Sequence, residues 1–276
     1  MKRHLFWSCG TAIMLSLAAP LCLAAKPWSG YWWPLSTGEL LFGYTSGMSP
    51  FEKYDQATYG YSPGPAYSQS YNNGFNYSRR AESWSGLCNG WAAAAIMEPE
   101  PTRPINVGSV NFRVGDQKGL LSEAWYRTSG DGWFVGKRYK GYNDGSFEDL
   151  YPGQLLDLLN KYVNNGIPII LDFSADEEVW NYPVYSFDLA CSGGPRRTND
   201  CRLTVVAAND NVRPDVVGIV KITKTYTFRA ETDGNGDVIS SSAYWTGYSV
   251  SSHPDFAWYP GSRPVLRNSG LKYPLW

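Results

Sequence analysis

Trp84-Ser85-Gly86-Leu87-Cys88-Asn89-Gly90-Trp91-Ala92-Ala93-Ala94-Ala95 reads as a tight turn running into a helix, with a thiol at the joint. Gly86 and Gly90 let the backbone bend and let another chain approach closely. The alanine run gives the clearest helix in the sequence, from Cys88 through Ala95 toward Met97. Glu98-Pro99-Glu100-Pro101-Thr102-Arg103-Pro104 stops it. The first N–H groups of a helix lack partners and carry partial positive charge, which stabilises a thiolate there. A neighbouring imidazolium lowers such a thiol further, to about 3.5–7.5 in favourable sites, and the same amides can hold an oxyanion. The plainer alternative is a small buried cysteine packed between Trp84 and Trp91.

Cysteine counting favours the reactive thiol. Lys2, Arg3 and His4, an apolar run from Thr11 to Leu23, and small residues to Ala25 read as a secretory leader over residues 1–25. Leu21 before Cys22 disfavours a lipid anchor. The remainder, 26–276, reads as one domain exported to a disulfide-permitting place, secreted or periplasmic. It keeps three cysteines and one histidine. Cys191 and Cys201 flank a Gly-Pro-Arg bend and read as a disulfide, leaving Cys88 free and His253 as the one imidazole. Such a pair reads as a nucleophile and its base.

Composition narrows the partners. Aromatic residues make up 16% of the chain against 18% for all charged ones. Removing Lys2 and Arg3 leaves 22 basic residues against 25 acidic, a charge near −3. With no basic stripe beyond Pro195-Arg196-Arg197, nucleic acid and anionic membrane are not expected partners. No other stretch reaches the roughly 20 apolar residues a membrane span needs.

The remaining patterns predict an α+β fold with a late antiparallel sheet. Residues 26–80 read as an aromatic-rich wrapping segment, with a short helix at Ser49-Pro50-Phe51-Glu52-Lys53-Tyr54-Asp55 and an irregular loop over 59–77. Residues 106–141 read as short strands and turns. A helix is expected over 151–163, a buried strand over 167–173, and strands over 203–208, 216–229 and 238–248. Asp233-Gly234-Asn235-Gly236-Asp237 copies the first half of a calcium loop. It lacks the later glycine and acid, so it reads as a hairpin turn. Neither a metal site nor a required cofactor is apparent, and zinc spacings are missing.

His253 lies in Ser251-Ser252-His253-Pro254-Asp255-Phe256-Ala257-Trp258. If extended, this stretch puts His253 and Asp255 on one side, so Asp255 could orient the ring; Asp172, ending the buried strand, competes for that role.

Glu178-Val179-Trp180-Asn181-Tyr182-Pro183-Val184 resembles the defence-eliciting peptide of the elicitor-type transglutaminases of oomycete pathogens and their bacterial relatives, with Tyr182 in place of a glutamine. Lys26-Pro27-Trp28-Ser29-Gly30-Tyr31-Trp32-Trp33-Pro34, residues 49–54, the surroundings of Cys88 and residues 252–258 are similar to the same family, in consistent order. The resemblance implies a papain-like cysteine acyltransferase core. Cys88 would form a thioester with a protein glutamine and pass the acyl group to a lysine amine. His253 would serve as base and then acid, with Trp84, Trp180 and Pro183 shaping the acyl site. It also implies protein substrates bearing Gln and Lys, and calcium dependence that the sequence itself does not support.

Two other functions share these residues. A papain-like peptidase, amidase or deamidase would use the same dyad with water as acceptor. A non-catalytic glycan binder would use the 12 Trp and 20 Tyr as stacking surfaces.

Overall fold

The structure, a computed structural model, describes residues 26–138, 149–174, 176–266, 270–272 and 275. The expected leader, 1–25, lies outside the described residues. Among the described residues six α-helices and nine strands follow one another: α1 (Glu39–Phe42), α2 (Pro50–Tyr59), α3 (Pro65–Asn72), α4 (Cys88–Met97), β1 (Ile105–Val107), β2 (Val110–Phe112), α5 (Val114–Ala124), β3 (Trp133–Gly136), α6 (Pro152–Lys161), β4 (Ile169–Asp172), β5 (Asn181–Cys191), β6 (Thr198–Ala208), β7 (Lys221–Glu231), β8 (Tyr244–Trp245) and β9 (Phe256–Tyr259). The mixed helical and antiparallel character is as expected.

Seven strands form one sheet in the order β3-β9-β4-β5-β6-β7-β8, antiparallel throughout, while β1 and β2 make a separate hairpin. The long β5–β6 pair carries the Cys191–Cys201 disulfide in register, as the sequence predicts. Near opposite edges of the sheet, β8 and β9 are brought together by Leu150, whose carbonyl accepts from Trp245 Nε1 at 2.9 Å and whose N–H reaches Asp255 O at 3.3 Å. The sheet therefore curls, and α6 lies in the curl.

β4 is fully buried because helices cover both of its faces. Ile169 and Leu171 pack with Leu155, Leu156 and Leu159 of α6, while Ile170 packs with Trp91 and Ala92–Ala95 of α4 and with Ala124 of α5. This is the period-2 alternation of a strand. Each such aliphatic side chain contributes about 1.5–3 kcal/mol when removed from water. Gly90 sets how closely α4 and α5 cross, since a Cβ there would stand 2.0 Å from Ser122 O.

Three local expectations differ from the structure. Residues 26–80, expected as a wrapping segment, carry α1, α2 and α3, which pack around Trp33, Leu40, Leu41, Phe51 and Tyr54 together with Val110 and Phe112 of β2 and Leu120 of α5. Within the expected loop over 59–77 lies α3, held at its start by a distant residue. The Asp55 carboxylate of α2 accepts the N–H groups of Gly64, Ala66 and Tyr67 at 2.7, 2.9 and 3.0 Å. Within the expected strands over 106–141 lies α5, buried along its whole length. Two of its charges are met from afar: Asp116 by Lys53, and Lys118 by Glu100, Ser29 O and Val216 O. The α2 start is as predicted, with a Ser49–Glu52 capping box and Pro50 at the first position, though the helix runs on to Tyr59. Residues 233–237 form the expected turn, in which Asp233 Oδ1 accepts the N–H groups of Asn235 and Asp237.

Candidate active site

The Cys88 thiol lies at the first position of α4, 6% exposed, where the helix meets the start of β5. Its Sγ donates to Val179 O at 3.4 Å and receives Asn181 Nδ2 at 3.5 Å. Asn181 Oδ1 accepts from Trp258 Nε1 at 2.8 Å. The residues touching the sulfur thus belong to the peptide-like segment singled out in the sequence, and β9 holds that segment from behind. Turn geometry helps: Leu87 N–H donates to Trp32 O at 2.6 Å, and a Cβ at Gly86 would fall 2.4 Å from that same oxygen.

A cleft of about 310 Å3 opens above the sulfur. Trp84, Tyr126, Phe134, Phe256 and Trp258 wall it, with Arg138 at its rim, 5.8 Å over the Trp84 ring. Of the residues expected to shape the acyl site, Trp84 therefore faces the cleft. Trp180 lies beside it, edge-on to Trp32 at 5.4 Å with its Nε1 on Glu178. Pro183 is buried in the sheet opposite Ile170, away from the cleft.

His253 is not at the sulfur. Its Nδ1 meets Ser249 O at 2.9 Å, its Nε2 meets Asp149 Oδ2 at 3.2 Å, and its ring stacks on Trp245 at 5.6 Å. Both ring nitrogens are engaged, so the Cys88–His253 pair expected from the sequence is absent in this arrangement. The carboxylate on the imidazole is Asp149, not Asp255. Asp255 is buried just before β9, where its carbonyl accepts the N–H groups of Lys137 and Leu150. Residues 253 and 255 do not share a strand, because β9 begins only at Phe256.

Burial dominates the electrostatics. It pushes the Cys88 thiol up to about 11; the Asn181 donors pull the other way, and the Asp210 and Asp172 carboxylates push further up. Asp172, at the end of β4, is pushed to about 8, first by burial, then by Asp255 and Asp176. Asp210 is pushed to about 7 by burial, against a hydrogen bond from Tyr182. A thiol surrounded by buried carboxyls and lacking an imidazole rests protonated.

Asn181, Asp149, Trp258 and Asp210 were not read as site residues from the sequence. Asn181 and Trp258 had a signal, their places in the 178–184 and 252–258 segments; Asp149 and Asp210 are brought in by contacts across the fold. No group of three or more His, Cys, Asp or Glu side chains among the described residues could hold a metal ion. No helix among them is long and apolar enough to cross a membrane.

Fold and site together define a mixed helix and antiparallel-sheet protein with a buried thiol at a helix start beneath an aromatic cleft. Residues 72–194, which include Cys88 and Asn181, match the family model described as transglutaminase elicitor. The whole fold is similar to the crystal structure of the GP42 transglutaminase from Phytophthora sojae, with a TM-score of 0.67 at 19% identity, over 87% of this chain and 83% of that one. No curated protein matches. The matched region supports the resemblance to the elicitor-type transglutaminases that the sequence segments carry.

Proposed function

We propose that the protein is an exported acyltransferase, a protein-glutamine γ-glutamyltransferase with a papain-like arrangement, in which Cys88 accepts the acyl group of a glutamine side chain and a lysine amine removes it. The observation that carries this reading is the placement of the free thiol. Cys88 is the one free cysteine among the described residues, and it lies at the start of a ten-residue helix beneath an aromatic-walled cleft of about 310 Å3. The aromatic walls would limit water, which favours an amine over hydrolysis. Trp84 would pack along the glutamine methylenes, and Arg138 at the rim would meet the substrate backbone. Protein substrates bearing Gln and Lys are the proposed partners.

The wild-type protein should incorporate a labelled amine into a glutamine-rich protein, and Cys88→Ala should reduce this at least about 10^3-fold. Undiminished incorporation by the variant would refute the thioester. His253 is proposed as the base only by way of an exchange of its contacts with Asp149 and Ser249. In His253→Ala, a rate loss above about 10^2-fold would support that role, while a rate within about twofold of wild type would place the base elsewhere.

One observation favours a second reading, a non-catalytic protein that retains the fold: burial raises the thiol to about 11 and no imidazole contacts it. Failure of a mechanism-based thiol acylating reagent to label Cys88 would favour this reading.

A further inference from the structure

Asn181 meets the Cys88 sulfur with two donors. Its Nδ2 stands 3.5 Å from Sγ, and its backbone N–H also favours the thiolate. The side chain cannot turn over freely, because Trp258 Nε1 donates to Oδ1 at 2.8 Å and a flipped amide would set two N–H groups against each other. Asn181 is 3% exposed, so its amide is a buried polar group aimed at a single atom. An apolar side chain would pack against a merely structural thiol without the desolvation cost of an amide.

Resting on the acyl-transfer reading above, we propose that Asn181 is a catalytic residue. Its Nδ2 and the backbone N–H of Cys88 form the donor pair that holds the oxyanion of the tetrahedral intermediate. Trp258 is its positioning residue. As the Cys88 Sγ bonds to the carboxamide carbon, the carbonyl electron pair moves onto oxygen, within reach of Nδ2. Collapse of the intermediate breaks the C–N bond, and the thiol proton leaves with the nitrogen as ammonia. Atoms and charge balance without a further reactant. The donor is fixed before the charge forms, which is the condition for strong stabilisation.

The test compares Asn181→Leu, which keeps the shape and loses the donor, with Trp258→Phe, which keeps a ring and loses the orienting N–H. Two quantities are measured: the pH dependence of Cys88 alkylation by iodoacetamide, and kcat and KM for amine incorporation. Asn181→Leu should move the alkylation midpoint to higher pH and lower kcat by about 10^2–10^3-fold with KM within about twofold. Trp258→Phe should change both in the same direction by less. Wild-type alkylation and kcat in Asn181→Leu, or in Trp258→Phe should the first variant not fold, would overturn the proposal. If the wild-type protein transfers no acyl group, the acyl-transfer reading fails and takes the oxyanion role with it. A shifted alkylation midpoint in that case would still establish the donor contact, so the two failures are separable.

Discussion

Replacing Asp172 by Asn should stabilise the protein in alkali and leave it unchanged in acid. Asp172 ends β4 at 0% exposure and accepts the Trp180 N–H at 3.3 Å. Burial raises its carboxyl to about 8, so the folded state keeps a proton that the unfolded chain has already lost near its ordinary value of 3.8. A carboxyl raised in this way gives stability that is complete below the unfolded value and fades as pH climbs to the folded one. Between its unfolded value of 3.8 and its folded value of about 8 the wild type forfeits up to about 1.36 kcal/mol per unit, a ceiling of about 6 kcal/mol from this residue. Asn keeps the acceptor for Trp180, occupies the same volume and carries no proton to lose. Urea unfolding across this pH range, with the disulfide intact, should show the two proteins together near pH 4 and the variant progressively ahead above it, by up to about 6 kcal/mol near pH 8. Because the Asp172 charge also raises the Cys88 thiol, alkylation in the variant should become faster above about pH 8, where the wild-type carboxyl ionises. Parallel stability curves, within about 0.5 kcal/mol at every pH, would refute the assignment of a buried, proton-holding carboxyl at this position.

Gly90→Ala should cost about 2–3 kcal/mol and displace Cys88, since the new Cβ would meet Ser122 O and force α4 from α5. Chemical unfolding together with the alkylation rate reads both effects, and wild-type values in both would contradict the close crossing. Ser49→Ala removes the capping box of α2 and should cost about 1 kcal/mol, seen as a fall in Tm of about 2–4 °C by calorimetry. His253→Ala should leave the pH profile of Cys88 alkylation in place while lowering stability by about 1–2 kcal/mol, because the ring is bound to Asp149 and Ser249. A profile moved by more than about one pH unit would show that the imidazole does reach the sulfur.

Features governed by neighbours in sequence were legible in the chain: the α4 helix with Cys88 at its head, the Ser49 cap, the amphipathic α6, the disulfide, and a family resemblance carried by short segments. Their physics acts within one or two turns or along one strand. Tertiary structure decided what depends on groups far apart in the chain. It set α3 on the carboxylate of Asp55, and it buried α5 with its charges answered by Lys53 and Glu100. It also brought Asn181 and Trp258 to the sulfur while holding His253 against Asp149. Counting residue types identified a thiol and an imidazole. Which side chains meet follows from strand register and helix crossing, and those are set by burial across the whole core.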